Sequence, residues 1–140
     1  MPYSQDLAKS ARRHLTAAGY LYADEKPGTR PGNRAVAGYL FGLAGELALK
    51  RIMQQRGIRQ LPEAEKSEDP MFAHFPRLKT LLRDSLEGRR HADLLKYARD
   101  SGLFREWDTK MRYAPTTDIP ENLTVLWKSQ AEALVDDMGT

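Results

Sequence analysis

The chain lacks cysteine altogether among its 140 residues. This absence excludes a disulfide framework, a thiolate zinc site and a cysteine nucleophile. Strand-forming residues are also scarce, since only 3 Val and 3 Ile stand against 18 Leu and 16 Ala. Because Leu and Ala favour helices and β-branched residues favour strands, the composition predicts an all-α protein.

Long apolar runs are missing as well. The most apolar stretch, residues 35–45, is followed at once by Glu46 and then by Lys50. It is shorter than the roughly 18–20 residues that cross a bilayer, and the N-terminal residues show no apolar core of a signal peptide. Together with the lack of cysteine, this predicts a soluble cytoplasmic protein with no membrane partner.

Patterns that hold metals or cofactors are absent too. No two His are spaced i,i+4, and the acidic run at 63–69 does not match a calcium-binding loop. The glycines at 38–45 lie inside a predicted helix and not between a strand and a helix, so they form no phosphate-binding glycine loop. The sequence therefore predicts no metal and no cofactor.

Apolar residues recur at three- and four-residue steps in five segments, which is the spacing of helices. The length fits one domain, so residues 1–140 are predicted to form a single helical domain. Residues 24–32, 59–73 and 106–120 are polar or rich in Pro and Gly, which indicates connections. The five helices are expected at about Ser4 to Tyr22, Asn33 to Arg56, Pro76 to Leu86, Arg89 to Ser101 and Pro120 to Met138.

The second predicted helix carries two unusual features. Val36, Leu40, Leu43 and Leu47 form one apolar stripe. Glycine in a helix interior costs up to about 1 kcal/mol, so repeated small residues require a reason, and close approach of a neighbouring helix is the expected one. The small residues are Gly38, Gly42, Ala44, Gly45 and Ala48.

Charge is distributed unevenly along the chain. Residues 1–58 hold nine Lys or Arg against four Asp or Glu, and residues 71–113 hold ten against six. A bundle that brings these blocks together would attract a phosphate-rich partner. The alternative is an ordinary solvated surface of mixed charge.

Glu46 and Lys50 form an i,i+4 pair on the second predicted helix. If Glu46 is buried it needs a partner, and Arg112 is a candidate because Arg pairs well with a buried carboxylate. That pairing would pin residues 106–117 onto the helix. The alternative is a cleft for a nucleotide or phosphate. Its expected lining is Tyr39, Glu46, Lys50, Trp107, Arg112 and Tyr113.

A second candidate site is the basic cluster after the third predicted helix. Arg83, Arg90 and His91 could stabilise a phosphoryl transition state and act as acid and base in a ribonuclease. The alternative is a solvated basic turn. His74, which precedes Phe75 and Pro76, is interpreted as a helix cap or a packed surface residue.

Residues 35–50, AVAGYLFGLAGELALK, resemble the second helix of HEPN-domain proteins. Residues 11–18, ARRHLTAA, are similar to that family's first helix, and His74 with Leu78 resembles its third-helix entry. The stretch from Trp107 to Tyr113 looks like the segment before its last helix. The resemblance extends over nearly the whole chain and implies an antiparallel bundle of four to five helices.

The family's nuclease motif, an Arg followed after four to six residues by a His on a late helix, is not present here. None of the three His has an Arg at that distance, and the last predicted helix has no His. The resemblance therefore implies a non-catalytic protein that binds RNA or a nucleotide, or a helical partner of a nucleotidyltransferase in a toxin–antitoxin or defence setting. We also predict a homodimer. The ribonuclease with Arg83, Arg90 and His91 and a pure protein-interaction module are the alternatives.

Overall fold

The structure is a computed structural model that describes residues 5–23, 33–58, 60–86 and 91–139. Within these ranges the chain contains helices and no strand, which confirms the all-α prediction. The α-helices are α1 (Leu7–Ala23), α2 (Arg34–Gln55), α3 (Arg77–Ser85), α4 (Ala92–Arg99) and α5 (Glu121–Met138).

Short 3₁₀ helices occupy the segments that the sequence indicates as connections. Two of them, Glu63–Glu68 and Pro70–Phe72, precede α3. Two more, Thr109–Tyr113 and Thr116–Asp118, lie between α4 and α5. The expected helix starts at Ser4 and Arg89 lie outside the described residues. Helix α1 begins at Leu7, where the Asp6 carboxylate accepts a hydrogen bond from the Lys9 amide (3.0 Å).

Asparagine is a common capping residue, and the position of Asn33 at the start of the second predicted helix favours a side-chain cap, which the structure does not show. Asn33 makes no side-chain cap hydrogen bond, because its backbone is already near the helical conformation and not in the extended one of a capping residue. Its carbonyl accepts the first helical bond, from the Ala37 amide at 2.8 Å.

Helix α2 lies at the centre and packs against both α1 and α5. Arg34 near its start donates to the Ile119 carbonyl just before α5 (3.1 Å), and Gln55 at its end donates to the Met138 carbonyl (3.0 Å). The two helices therefore run parallel, so the antiparallel arrangement implied by the resemblance does not hold for this pair. Arg12 of α1 hydrogen-bonds the Gly139 carbonyl after α5, which makes α1 antiparallel to both.

Aromatic rings press against the glycines of α2, and at Gly38 the ring comes from a neighbouring helix, as predicted. A Cβ at Gly38 would lie 3.0 Å from the Trp127 ring of α5. One at Gly42 would overlap the indole of Trp107, and one at Gly45 would overlap the ring of Phe104. A neighbouring helix was predicted at all of these positions. At Gly42 and Gly45, however, the close neighbour is the turn at residues 102–107.

That turn is held in an uncommon conformation. Phe104 and Glu106 have φ of 51° and 63°, a region that residues other than glycine adopt infrequently. Helix α5 fixes the turn: Gln130 accepts from the Phe104 amide (2.8 Å), and Trp127 donates to the Arg105 carbonyl (3.0 Å). These contacts direct the following residues, 108–113, toward the side of α2 on which the candidate site lies.

The apolar stripe of α2 is less buried than its small residues. Val36 is 47% exposed, and Leu40, Leu43 and Leu47 are only partly buried. The large apolar side chains of the helix that are fully buried are Phe41, Leu49 and Met53. Within the described ranges, no helix combines the length and apolarity needed to cross a membrane.

Candidate functional site

An open groove of about 860 Å³ lies between residues 64–77 and residues 108–110. One wall contains the two 3₁₀ helices before α3 and the first residue of α3, and the other wall is the start of the Thr109–Tyr113 helix. Its ionisable side chains are those of Lys66, Asp69, His74, Arg77, Asp108 and Lys110.

The carboxylates of the groove serve the local backbone. Asp69, 1% exposed, accepts from the amides of Leu61 (2.7 Å) and Met71 (2.9 Å). Asp108 accepts from the Lys110 amide (2.9 Å) and so caps its 3₁₀ helix. Backbone amides therefore occupy an oxygen of each carboxylate, and both side chains have a structural role.

The cations of the groove are more exposed than Asp69. Lys66, Arg77 and Lys110 all lie on the surface. Lys66 Nζ is 4.9 Å from the centre of the Phe72 ring, and Arg77 donates to the Ser67 carbonyl (3.0 Å). The Arg77 bond uses one of the five donors of its guanidinium. The groove is thus suited to an anion.

Behind the groove lies a buried ion pair. Glu46 and Lys50 of α2 are 2% and 6% exposed, and Lys50 Nζ lies 3.3 Å from Glu46 Oε2. His74 Nδ1 lies 2.8 Å from Glu46 Oε1 and 3.0 Å from Oε2. The His74 side chain is 54% exposed, whereas that of Glu46 is 3% exposed. His74 therefore connects the buried pair to the groove.

Glu46 pairs with Lys50, as helical spacing predicts, but the predicted pairing with Arg112 is wrong. Arg112 does not pair with it, because the Arg112 guanidinium lies on the surface and donates to the Tyr39 hydroxyl (3.4 Å). Lys50 and His74 supply the compensation that a buried carboxylate requires. The sequence carries no local signal for the contact with His74, since 28 positions separate the two residues.

Tyr39, Trp107, Arg112 and Tyr113 form a second cluster. The Tyr39 and Trp107 rings stack with centres 5.7 Å apart and planes at 8°. Trp107 is 1% exposed, and its Nε1 donates to the Gly38 carbonyl (3.1 Å). Arg112 lies 4.8 Å from the Tyr113 ring centre, and its hydrogen bond to Tyr39 raises its pKa above the ordinary value. Tyr113 is 77% exposed.

The six predicted binding residues therefore separate into two groups. Glu46 and Lys50 lie behind the groove, and the other four lie in the cluster described above. Because Trp107 is buried in the core, only Tyr39, Arg112 and Tyr113 of the six reach solvent appreciably. His74 and the groove cations were missed as binding residues, although the basic block at 71–113 contains two of those cations, Arg77 and Lys110.

The proposed nuclease residues lie elsewhere. His91 is 6% exposed at the start of α4, which shields its imidazole from a polymeric substrate. Arg83 is exposed on α3 and lies 3.6 Å from Asp84. Neither lines the groove, and Arg90 lies outside the described residues.

In the part of the chain that the structure describes, no three His, Asp or Glu side chains are grouped so as to hold a metal ion. By its fold and its candidate site, the protein is an all-α domain with an open groove lined by three cationic side chains. Comparison of the chain with protein-family models, with curated proteins and with solved structures finds no match in any of the three.

Proposed function

We propose that this chain binds single-stranded RNA or a nucleotide in the groove. The observation that carries the proposal is the placement of Lys66, Arg77 and Lys110 around one open concavity whose carboxylates are engaged with backbone amides. Lysine and arginine side chains supply the sequence-independent attraction of a protein for a phosphate backbone. The groove volume of about 860 Å³ also lies within the range of small-molecule sites.

A stacking surface adjoins the cations. Lys110 lines the groove, and Tyr113 lies on the same 3₁₀ helix one turn further along. Its ring is 77% exposed, and Arg112 packs against it. Single-strand-binding proteins combine a cationic track with exposed aromatic rings on which bases stack. The same combination here supports RNA with phosphates in the groove and a base on Tyr113.

The HEPN-like fold, the homodimer and the nucleotidyltransferase partner predicted from the sequence are kept as parts of this proposal. The all-helical architecture is compatible with a HEPN-like bundle, although α2 and α5 run parallel. A second copy of the chain and a nucleotidyltransferase remain the predicted protein partners. The groove takes precedence over the ribonuclease alternative because His91 is buried and lies outside it.

The test is the binding of a labelled oligouridylate of about ten nucleotides, a typical site size, followed by fluorescence anisotropy across a salt series. We expect affinity to fall steeply with salt. Lys66→Gln combined with Lys110→Gln should weaken binding and lower the salt slope by about 1 for each phosphate that the variant no longer neutralises. Arg99→Gln, an exposed residue of α4 outside the groove, is the matched control.

Absence of binding at low salt would contradict the proposal. An equal loss in Arg99→Gln and in the groove variant would also contradict it, because the attraction would then come from the surface as a whole.

A further inference from the structure

His74 is the one imidazole in the described groove lining, and its two nitrogens have different environments. Nδ1 lies within hydrogen-bond distance of both Glu46 oxygens, at 2.8 and 3.0 Å. A carboxylate accepts hydrogen bonds and donates none when ionised, so Nδ1 carries the proton. Because the partner of one nitrogen decides the state of the other, Nε2 is the nitrogen available to a ligand.

Burial keeps this arrangement in place. Glu46 lies on α2 with its side chain 3% exposed, and Lys50 one helical turn later lies 3.3 Å from it. The pair is neutral as a unit, so it compensates a buried charge without requiring that His74 be charged. His74 can then be neutral or cationic without leaving either Glu46 or Lys50 alone in the core.

We propose that His74 binds a phosphate of the ligand through Nε2 and takes up one proton as the phosphate binds. Glu46 and Lys50 are its positioning residues. This inference rests on the proposed function, because it assigns a residue and a proton to the binding of RNA in the same groove.

The proton balance follows from the donors available. A neutral imidazole that gives Nδ1–H to Glu46 presents a lone pair at Nε2, which repels phosphate oxygens. One proton from solvent converts Nε2 into a charged donor, and hydrogen bonds of that kind are about twice as strong as neutral ones. No bond to phosphorus forms or breaks. Affinity should therefore fall as pH rises, by at most tenfold per pH unit for one proton.

Other charged groups lie around His74 and contribute to the attraction of the groove for phosphate. Glu46 and Lys50 belong to α2, and the others line the groove. The latter are Lys66 and Asp69 on the residues before α3, Arg77 at the start of α3, and Asp108 and Lys110 opposite. Three cations at fixed charge favour phosphate at every pH, so His74 modulates the affinity and does not create it.

The experiment measures oligouridylate affinity between pH 5 and 8, the range in which an imidazole changes charge. A phosphodiester does not titrate there, so the ligand contributes no pH dependence. We expect wild-type affinity to decrease across the range. His74→Gln should bind at every pH about as weakly as wild type does at pH 8. His14→Gln on α1, which lies outside the groove, should retain the wild-type profile.

Calorimetry in two buffers of different ionisation enthalpy counts the protons. Wild type should take up a fraction of one proton near neutral pH and His74→Gln none. A pH-dependent affinity that survives in His74→Gln overturns this inference but leaves RNA binding intact. A complete lack of binding overturns the proposed function itself, so the two failures are distinguishable.

Glu46→Gln tests the positioning role. Without the carboxylate, the imidazolium loses its stabilising partner, so the pH at which affinity is half lost should move down while RNA still binds. An unchanged profile overturns the role of Glu46. If circular dichroism shows that Glu46→Gln does not fold, Glu46→Leu combined with Lys50→Met removes the buried pair without leaving a charge, and the same shift is expected.

Discussion

Helix α2 carries two neighbouring surfaces that are built in opposite ways. On the first, the closed face, Gly38, Gly42 and Gly45 lie against the rings of Trp127, Trp107 and Phe104, so apolar surface closes completely. On the second, the charged face, which begins one helical turn after Gly42, Glu46 and Lys50 form a buried ion pair that connects to solvent through His74. The first face gains stability from shape, whereas the second keeps charge next to a groove.

Packing on the closed face positions one wall of the groove. Trp107 fits onto Gly42 only because no Cβ is present, and Asp108, Thr109 and Lys110 of the groove follow it directly. The glycines of α2 therefore cost helix propensity but position one wall of the groove. Packing of the closed face and the position of this groove wall are thus coupled through the turn at 102–107.

The largest expected effect is that of Gly42→Ala. The added Cβ would overlap the indole of Trp107, which is 1% exposed and cannot move outward without opening the core. Overpacking of a core typically costs 1–3 kcal/mol, and we expect about 3 kcal/mol here because the contact is with a rigid ring. Chemical denaturation monitored by circular dichroism measures the free energy of unfolding.

Gly19→Ala is the matched control for this substitution. Gly19 lies in α1, and a Cβ there would meet no atom within 4 Å. The variant should gain about 0.5–1 kcal/mol, the usual advantage of Ala over Gly inside a helix. If Gly42→Ala were as stable as wild type, the Trp107 ring would not be packed tightly against Gly42.

Lys50→Met probes the charged face and should have the next largest effect. It leaves Glu46 buried at 2% exposure with His74 as its remaining partner. Removing one member of a buried pair costs about 3–5 kcal/mol, and we expect about 2 kcal/mol because His74 can compensate. The loss of stability, measured by denaturation, should be smaller at pH 5 than at pH 8, since a protonated imidazole compensates the carboxylate better.

The double variant Glu46→Leu with Lys50→Met is the control for that loss. Replacing both partners of a buried pair by apolar groups is often neutral, so stability should return toward the wild-type value. A double variant as unstable as Lys50→Met would mean that lost packing volume, and not an uncompensated charge, is the cause.

The helices could be predicted from the sequence because each carries its own periodic pattern. The expected end of α5 at Met138 coincides with the observed one, and the other observed bounds lie within three residues of expectation. The short 3₁₀ helices are not predicted, since segments of three to six residues carry too little periodic pattern. The direction of α5 relative to α2 depends on the path of residues 100–120, which no local signal determines.

The candidate site was predicted only in part, for a similar reason. Glu46 and Lys50 are one turn apart, so their pairing follows directly from helical spacing, and the interaction of Tyr39 with Arg112 lies within the predicted cluster. The contact of Glu46 with His74 joins residues distant in sequence. Trp107 was expected in a cleft, but the glycines opposite it allow it to enter the core.

Tyr113→Ala should affect binding and not folding. The ring is 77% exposed, so its removal should change the free energy of unfolding by less than about 0.5 kcal/mol. Loss of a stacked base costs roughly 1–3 kcal/mol, and we expect about 1 kcal/mol, or roughly fivefold in oligouridylate affinity, because the ring lies one 3₁₀ turn beyond Lys110 of the groove lining. Tyr20→Ala, at 72% exposure on α1, is the matched control and should bind normally.

The smallest expected effect concerns a contact between α4 and α5, away from α2. The Tyr97 hydroxyl of α4 donates to the Asp137 carboxylate of α5. Burial, followed by this hydrogen bond, raises the pKa of Tyr97 above its usual value of 10.0. A raised pKa in the folded state means that the unfolded chain loses the proton first. The contribution of Tyr97 is therefore complete below about pH 10 and decreases as pH rises further.

Tyr97→Phe should cost about 0.5 kcal/mol at neutral pH, since the partly exposed hydrogen bond is screened by solvent. Above about pH 10, the stability of Tyr97→Phe should fall less steeply with pH than that of wild type. Urea denaturation at several pH values measures this difference. Tyr20→Phe should behave as wild type. If Tyr97→Phe and wild type lost stability in parallel at alkaline pH, the hydroxyl would not be coupled to Asp137.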